Sequence, residues 1–108
     1  MSRLDQLFDL LKSQPNEPFL LFAIAKEYEK AGDIDMALDY YLKLKETTPQ
    51  YVGTYYHLGK LYERLEQPEA AFLTYKTGMV VAKKEGDMHA FSELSGAKMA
   101  IDDDDDDF

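Results

Sequence analysis

A displacement of 34 residues brings this chain onto itself. Lys26 falls on Lys60, Tyr28 on Tyr62, Glu29 on Glu63, Ala37 on Ala71 and Tyr41 on Tyr75. Similar side chains coincide as well: Leu21 with Tyr55, Ile24 with Leu58, Ala25 with Gly59, and the two copies follow Pro15 and Pro49. A fixed period of this size means one supersecondary unit used more than once, each copy burying its apolar face against the next. Stacked units present a long side-chain surface. The default work of such a chain is to hold another molecule.

The chain reads as helices and turns. Residues 2–13 place Leu4, Leu7, Phe8, Leu10 and Leu11 at spacings of three and four, and Ser2 with Asp5 can form a capping pair. Pro15 and Pro18 end that helix and restart the chain, with Asn16 a candidate cap for a helix over 18–31. Gly32 permits a left-handed turn and Asp33 caps a partner helix over 35–47, which Thr48-Pro49 ends. The cycle then repeats: a helix over 52–65, a turn at Glu66-Gln67-Pro68, and a partner over about 69–84. Gly86 breaks the chain before a last amphipathic helix over 88–100 carrying Met88, Phe91, Leu94 and Met99. Short connections make neighbouring helices antiparallel, and no stretch alternates cleanly enough for a strand. The expected class is all-α, with about six helices.

At this point the residues resemble the tetratricopeptide repeat family, whose 34-residue pattern is W-x2-L-G-x2-Y, then A-x3-F, then P. The first unit supplies Leu21, Ile24, Ala25, Tyr28, Ala37, Tyr41 and Pro49; the second supplies Tyr55, Leu58, Gly59, Tyr62, Ala71 and Tyr75, with Lys83 in the place of proline. The resemblance implies a right-handed α-solenoid of antiparallel helix pairs. Its layout here is a half-repeat cap over 2–15, repeats over 18–51 and 52–85, a closing helix over 87–101, and an acidic tail over 102–108. Small residues at Ala25, Gly59, Ala37 and Ala71 allow close helix approach. Tyr28, Tyr62, Tyr41 and Tyr75 act as wedges between successive units, each with a hydroxyl that needs a partner. Arg3 stands where Ala37 and Ala71 stand, a departure that suits an exposed end. Lys83 in place of proline lets the second helix of that repeat run on. Gly78 weakens the same helix by about 1 kcal/mol relative to alanine, which points to close packing of the closing helix.

Composition removes several functions. Without cysteine there are no disulfides, thiolate metal sites or cysteine nucleophiles. No run approaches the roughly 18 apolar residues of a membrane span, and the N-terminus lacks the features of a signal peptide, so a cytoplasmic chain is expected. Asp102 to Asp107 supply six charges of the net −9, leaving −3 for residues 1–101. That balance repels phosphate backbones, which speaks against nucleic acid. No nucleophile elbow, phosphate-cradling glycine loop or His-Glu-x-x-His motif occurs, so neither catalysis nor a cofactor is expected. His57 and His89 lack further ligands of their own for a metal.

In the resembled family the first helix of each unit lines the concave face, where peptides bind. That mapping gives Phe19, Phe22, Lys26 and Lys30 from the first repeat and Tyr56, Lys60 and Arg64 from the second. Leu94 and Lys98 follow from the closing helix. A row of cations among aromatics suits an acidic peptide or a free carboxylate; the plainer reading is a solvated face where Lys26 and Lys60 pair with nearby glutamates. The family's carboxylate clamp for chaperone tails is not matched, since Phe22 and Lys26 stand where it would begin and no asparagine follows Asn16. The expected function is a non-catalytic adaptor with a protein or peptide partner, as a monomer or weak homo-oligomer. Two alternatives stand beside it: self-association through Leu7, Leu11, Phe91 or Leu94, and service as an accessory subunit of an enzyme complex. Like-charge repulsion predicts disorder for the tail over 102–108, which is either a solubilising segment or a competitor for the basic groove with Phe108 as an apolar anchor.

Overall fold

A computed structural model describes residues 2–105, with side chains through Ile101. Among the described residues there are six helices and no strand. They fall into two compact units that divide between Tyr51 and Val52.

The first unit holds α1 (Arg3–Ser13), α2 (Pro18–Lys30) and α3 (Ile34–Thr47). Ser2 and Asp5 close the expected capping box: the Ser2 hydroxyl accepts from the Asp5 N–H at 3.1 Å, and the Asp5 carboxylate accepts from the Ser2 N–H at 3.3 Å. Two orphan donors at the start of α1 are thereby satisfied. The cap of α2 is corrected from Asn16 to Glu17, whose carboxylate accepts from the Leu20 N–H at 3.2 Å. Pro18 at the first helical position sets this register, placing the N-cap one residue later than the sequence reading had it. Asp33 caps α3 as expected, accepting from the Met36 N–H. Leu7 of α1 packs with Leu20, Ala23 and Ile24 of α2, while Leu21 and Ala25 of α2 and Ala37, Tyr41 and Leu44 of α3 are fully buried. Arg3 reaches across from α1 to Glu27 at 3.6 Å.

The second unit holds α4 (Gly53–Arg64), α5 (Pro68–Glu85) and α6 (Met88–Asp105). Tyr55, Ala71, Tyr75, Ala82, Leu94, Ala97 and Ile101 form its core. The small residues permit contacts that a side chain would block. A Cβ on Gly59 would overlap the Tyr75 ring, and one on Gly78 would sit 2.5 Å from Tyr55 Cβ and 3.0 Å from Leu94 Cδ1. Gly78 thus marks the point where α4, α5 and α6 close on one another. With lysine at 83, α5 runs 18 residues against the 14 of α3. The sequence ended the last helix at 100 and placed 102–108 in a disordered tail. Instead α6 continues through Asp105, and Ile101, the last residue of the closing segment expected over 87–101, is buried in the core. Residues 106–108 of the expected tail lie outside the described residues.

Both α2 and α4 end in the same way. Asp33 N–H donates to the Tyr28 carbonyl and Gly32 N–H to that of Glu29; 34 residues later Gln67 N–H donates to Tyr62 and Glu66 N–H to Glu63. These paired bonds satisfy carbonyls that a helix end leaves open and require a left-handed residue, filled by Gly32 at φ 83° and by Glu66 at φ 59°.

Candidate functional site

The expected site residues lie on the first repeat helices, α2 and α4. Positions 22, 26 and 30 share one face of α2, and 56, 60 and 64 share one face of α4, because residues four apart stand above one another on a helix. Lys26, Lys30 and Arg64 are exposed, Phe22, Tyr56 and Lys60 half-buried, and Phe19 is the most exposed of the aromatics at 62%.

Beneath these side chains the structure repeats an arrangement of ring, tyrosine and glutamate. In the first unit the Phe22 ring meets Tyr41 edge-on at 6.1 Å, and the Tyr41 hydroxyl donates to Glu29 at 2.8 Å. In the second unit the Tyr56 ring lies tilted against Tyr75 at 6.4 Å, and the Tyr75 hydroxyl donates to Glu63. Lys26 and Lys60 stand four residues after Phe22 and Tyr56 in the two repeats. Lys60 shows what the set does to its cation: the ammonium stands 5.5 Å from the Tyr56 ring centre and 3.8 Å from the Glu63 carboxylate. Burial, with the hydrogen bond to the carboxylate second, pushes the hydroxyls of Tyr41 and Tyr75 far above the usual tyrosine range. Both therefore stay protonated donors, each to its own glutamate, and in the second unit that glutamate also stands 3.8 Å from Lys60.

Glu29 and Glu63 were not among the expected site residues. Their signal was present, since each stands 12 residues before its tyrosine in both repeats. The partners that the hydroxyls of Tyr41 and Tyr75 were expected to need are found within their own helix pairs. Tyr28 stacks on Tyr40 at 5.8 Å, and Phe8 of α1 meets both rings edge-on.

The two residues expected from the closing helix lie on α6 and are engaged within the second unit. Leu94 is 1% exposed in the core, driven there by its contact with Gly78, and cannot meet a ligand or a second copy. Lys98 holds its ammonium 4.9 Å from the ring centre of Phe72 on α5. Leu7 is likewise buried, which removes it as a stacking surface. His57 lies edge-on to Tyr56, and His89 faces Glu93 at 3.7 Å from an open surface. Among the described residues no group of three or more His, Asp or Glu is placed to hold a metal, and no helix is long and apolar enough to cross a membrane.

The family model for the tetratricopeptide repeat matches residues 20–51 and 52–79. The crystal structure of a tetratricopeptide repeat domain protein from Salinibacter ruber is 46% identical, covers 80% of this chain and 96% of its own, and superimposes with a TM-score of 0.77. A solution structure of a domain described in the same way, from the same organism, is 47% identical over 81% of this chain and 88% of its own, with a TM-score of 0.78. The fold is shared as well by a protein from Bordetella parapertussis, 21% identical, covering 97% of this chain and 91% of its own, with a TM-score of 0.82. No curated protein matches at a significant level.

Proposed function

The chain belongs to the tetratricopeptide repeat family, whose domains are in general non-catalytic protein–protein interaction modules, and from this we propose that it is an adaptor binding acidic peptide segments through the row on α2 and the like row on α4, each within its own unit. The observation that carries the proposal is the repeated set of aromatic ring, lysine, glutamate and buried tyrosine. In the second copy the Lys60 ammonium stands beside the Tyr56 ring, and in the first Lys26 follows Phe22 at the same spacing, so that a partner offering a carboxylate next to an apolar side chain meets both kinds of group at once. The ion pair within the second set is no obstacle. A partly exposed pair such as Lys60–Glu63 is worth about 1 kcal/mol or less, so Lys60 can exchange it for a partner's carboxylate at small cost. Phe19 and Tyr56 supply apolar contact, while Lys30 and Arg64 extend the two cationic rows. A cysteine-free chain fits a reducing cytoplasmic setting.

The test is capture from a lysate of the cells that make the protein. Immobilised parent protein is run beside a folded Lys26→Glu/Lys60→Glu variant, and the retained proteins are identified by mass spectrometry. A partner held by the parent and lost from the variant is the expected result. Partners kept equally by both would remove the site from α2 and α4.

A further inference from the structure

The outer faces of α3 and α5 occupy the same place in their repeats and carry opposite chemistry. On α3 the exposed face bears Asp35, Asp39, Leu42 and Glu46, with Lys43 at one edge. On α5 it bears Leu73, Lys76, Val80, Lys83 and Lys84, with Glu69 in the first turn. Leu73 stands 34 residues after Asp39, and Val80 after Glu46. The fold therefore needs no apolar group at these positions. Yet Leu73 and Val80 are each 61% exposed and add little to the core.

Lysines at 83 and 84 could serve only to complement the C-terminal end of the helix dipole. That role does not extend to Lys76 in mid-helix, nor to Leu73 and Val80. Among the described residues, none of Lys76, Lys83, Lys84, Asp35, Asp39 or Glu46 has an ion-pair partner. A net charge of −9 opposes docking of this face on an anionic membrane. The matching acidic and partly apolar surface is present on the same chain, since Leu42 is 37% exposed among the three carboxylates of α3.

We propose that the outer face of α5 in one molecule binds the outer face of α3 in a second, with Lys76, Lys83 and Lys84 meeting Asp35, Asp39 and Glu46 around a seam of Leu73, Val80 and Leu42. Both faces are exposed within one chain, so the contact forms between copies. It is heterologous, leaving one α3 and one α5 open after each step, and association continues past a dimer unless a ring closes. This surface is separate from the α2 and α4 rows and does not depend on the peptide-binding reading.

Sedimentation equilibrium from micromolar to millimolar concentration tests it. The weight-average mass of the parent should rise past twice the monomer mass, and should fall back at about 1 M salt, where the Debye length is about 3 Å. A Leu73→Asp/Val80→Glu variant copies the residues that the first repeat already accommodates, so it should fold and remain monomeric. Lys76→Glu/Lys83→Glu and Asp39→Lys/Glu46→Lys should each be monomeric alone and associate when mixed, because the mixture restores opposite charges across the contact. A parent that stays monomeric throughout, variants that associate like the parent, or a mixture that stays monomeric would overturn the proposal. So would loss, in Lys76→Glu/Lys83→Glu alone, of binding to phosphatidylserine vesicles by a monomeric parent; that result would assign the face to lipid.

Discussion

Glu66 does for α4 what Gly32 does for α2, but without glycine's freedom. A left-handed residue with a Cβ costs about 1 kcal/mol or more, and the Glu66 side chain is exposed. Glu66→Gly should therefore raise the urea midpoint, by about 0.5–1 kcal/mol of stability, glycine's greater entropy in the unfolded chain removing part of the gain. A lowered midpoint would show that the Glu66 side chain contributes more than its exposure indicates. This strain was not legible in the sequence. The repeat aligned Glu66 with Gly32, but only the carbonyls of Tyr62 and Glu63, waiting for donors, force the backbone into that conformation. The identities at Glu29, Glu63, Tyr41 and Tyr75 were legible as a pattern, whereas their hydrogen bonds depend on the approach of one helix to the next.

At the scale of the element, the second helix of the second repeat departs most from its counterpart. Pro49 stops the chain soon after α3, and Lys83 lets α5 run on until Gly86. That difference was readable, because proline acts locally. The burial of Leu94 was not, since an amphipathic stripe says which residues face inward without saying what they meet. The meeting point is Gly78. Alanine there would favour an isolated helix by about 1 kcal/mol, yet its Cβ would collide with Tyr55 Cβ, an atom tied to the backbone of α4. The collision outweighs the propensity, since overpacking a close helix contact costs about 1–3 kcal/mol. Gly78→Ala should consequently lower the thermal midpoint. Unchanged or raised stability would mean that α4 and α6 can separate at this point without loss. At the ends of elements local signals competed: Pro18 moved the cap from Asn16 to Glu17, and α6 runs past the buried Ile101 into the aspartate run.

For the molecule as a whole, period and spacing were enough to give an all-α repeat fold, because the buried positions recur and the physics of close helix packing leaves few residues to choose among. The surface was less legible. Phe22, Lys26, Tyr56 and Lys60 are selected by their rows, but the structure alone shows that a protonated tyrosine and an engaged glutamate stand beneath each row. The same division separates the two surfaces: α2 and α4 repeat their chemistry, while α3 and α5 invert it. Repetition offers a partner the same chemistry on each unit. The central claim is therefore that both copies of the set take part in binding. Amide shifts of the isotope-labelled protein, followed while a pool of peptides alternating acidic and aromatic residues is added, test it most directly. Shifts at residues 19–30 and 53–64 together, lost in Lys26→Glu/Lys60→Glu, are the expected result. Shifts confined to α3, α5 or α6, or unchanged by that double substitution, would contradict it.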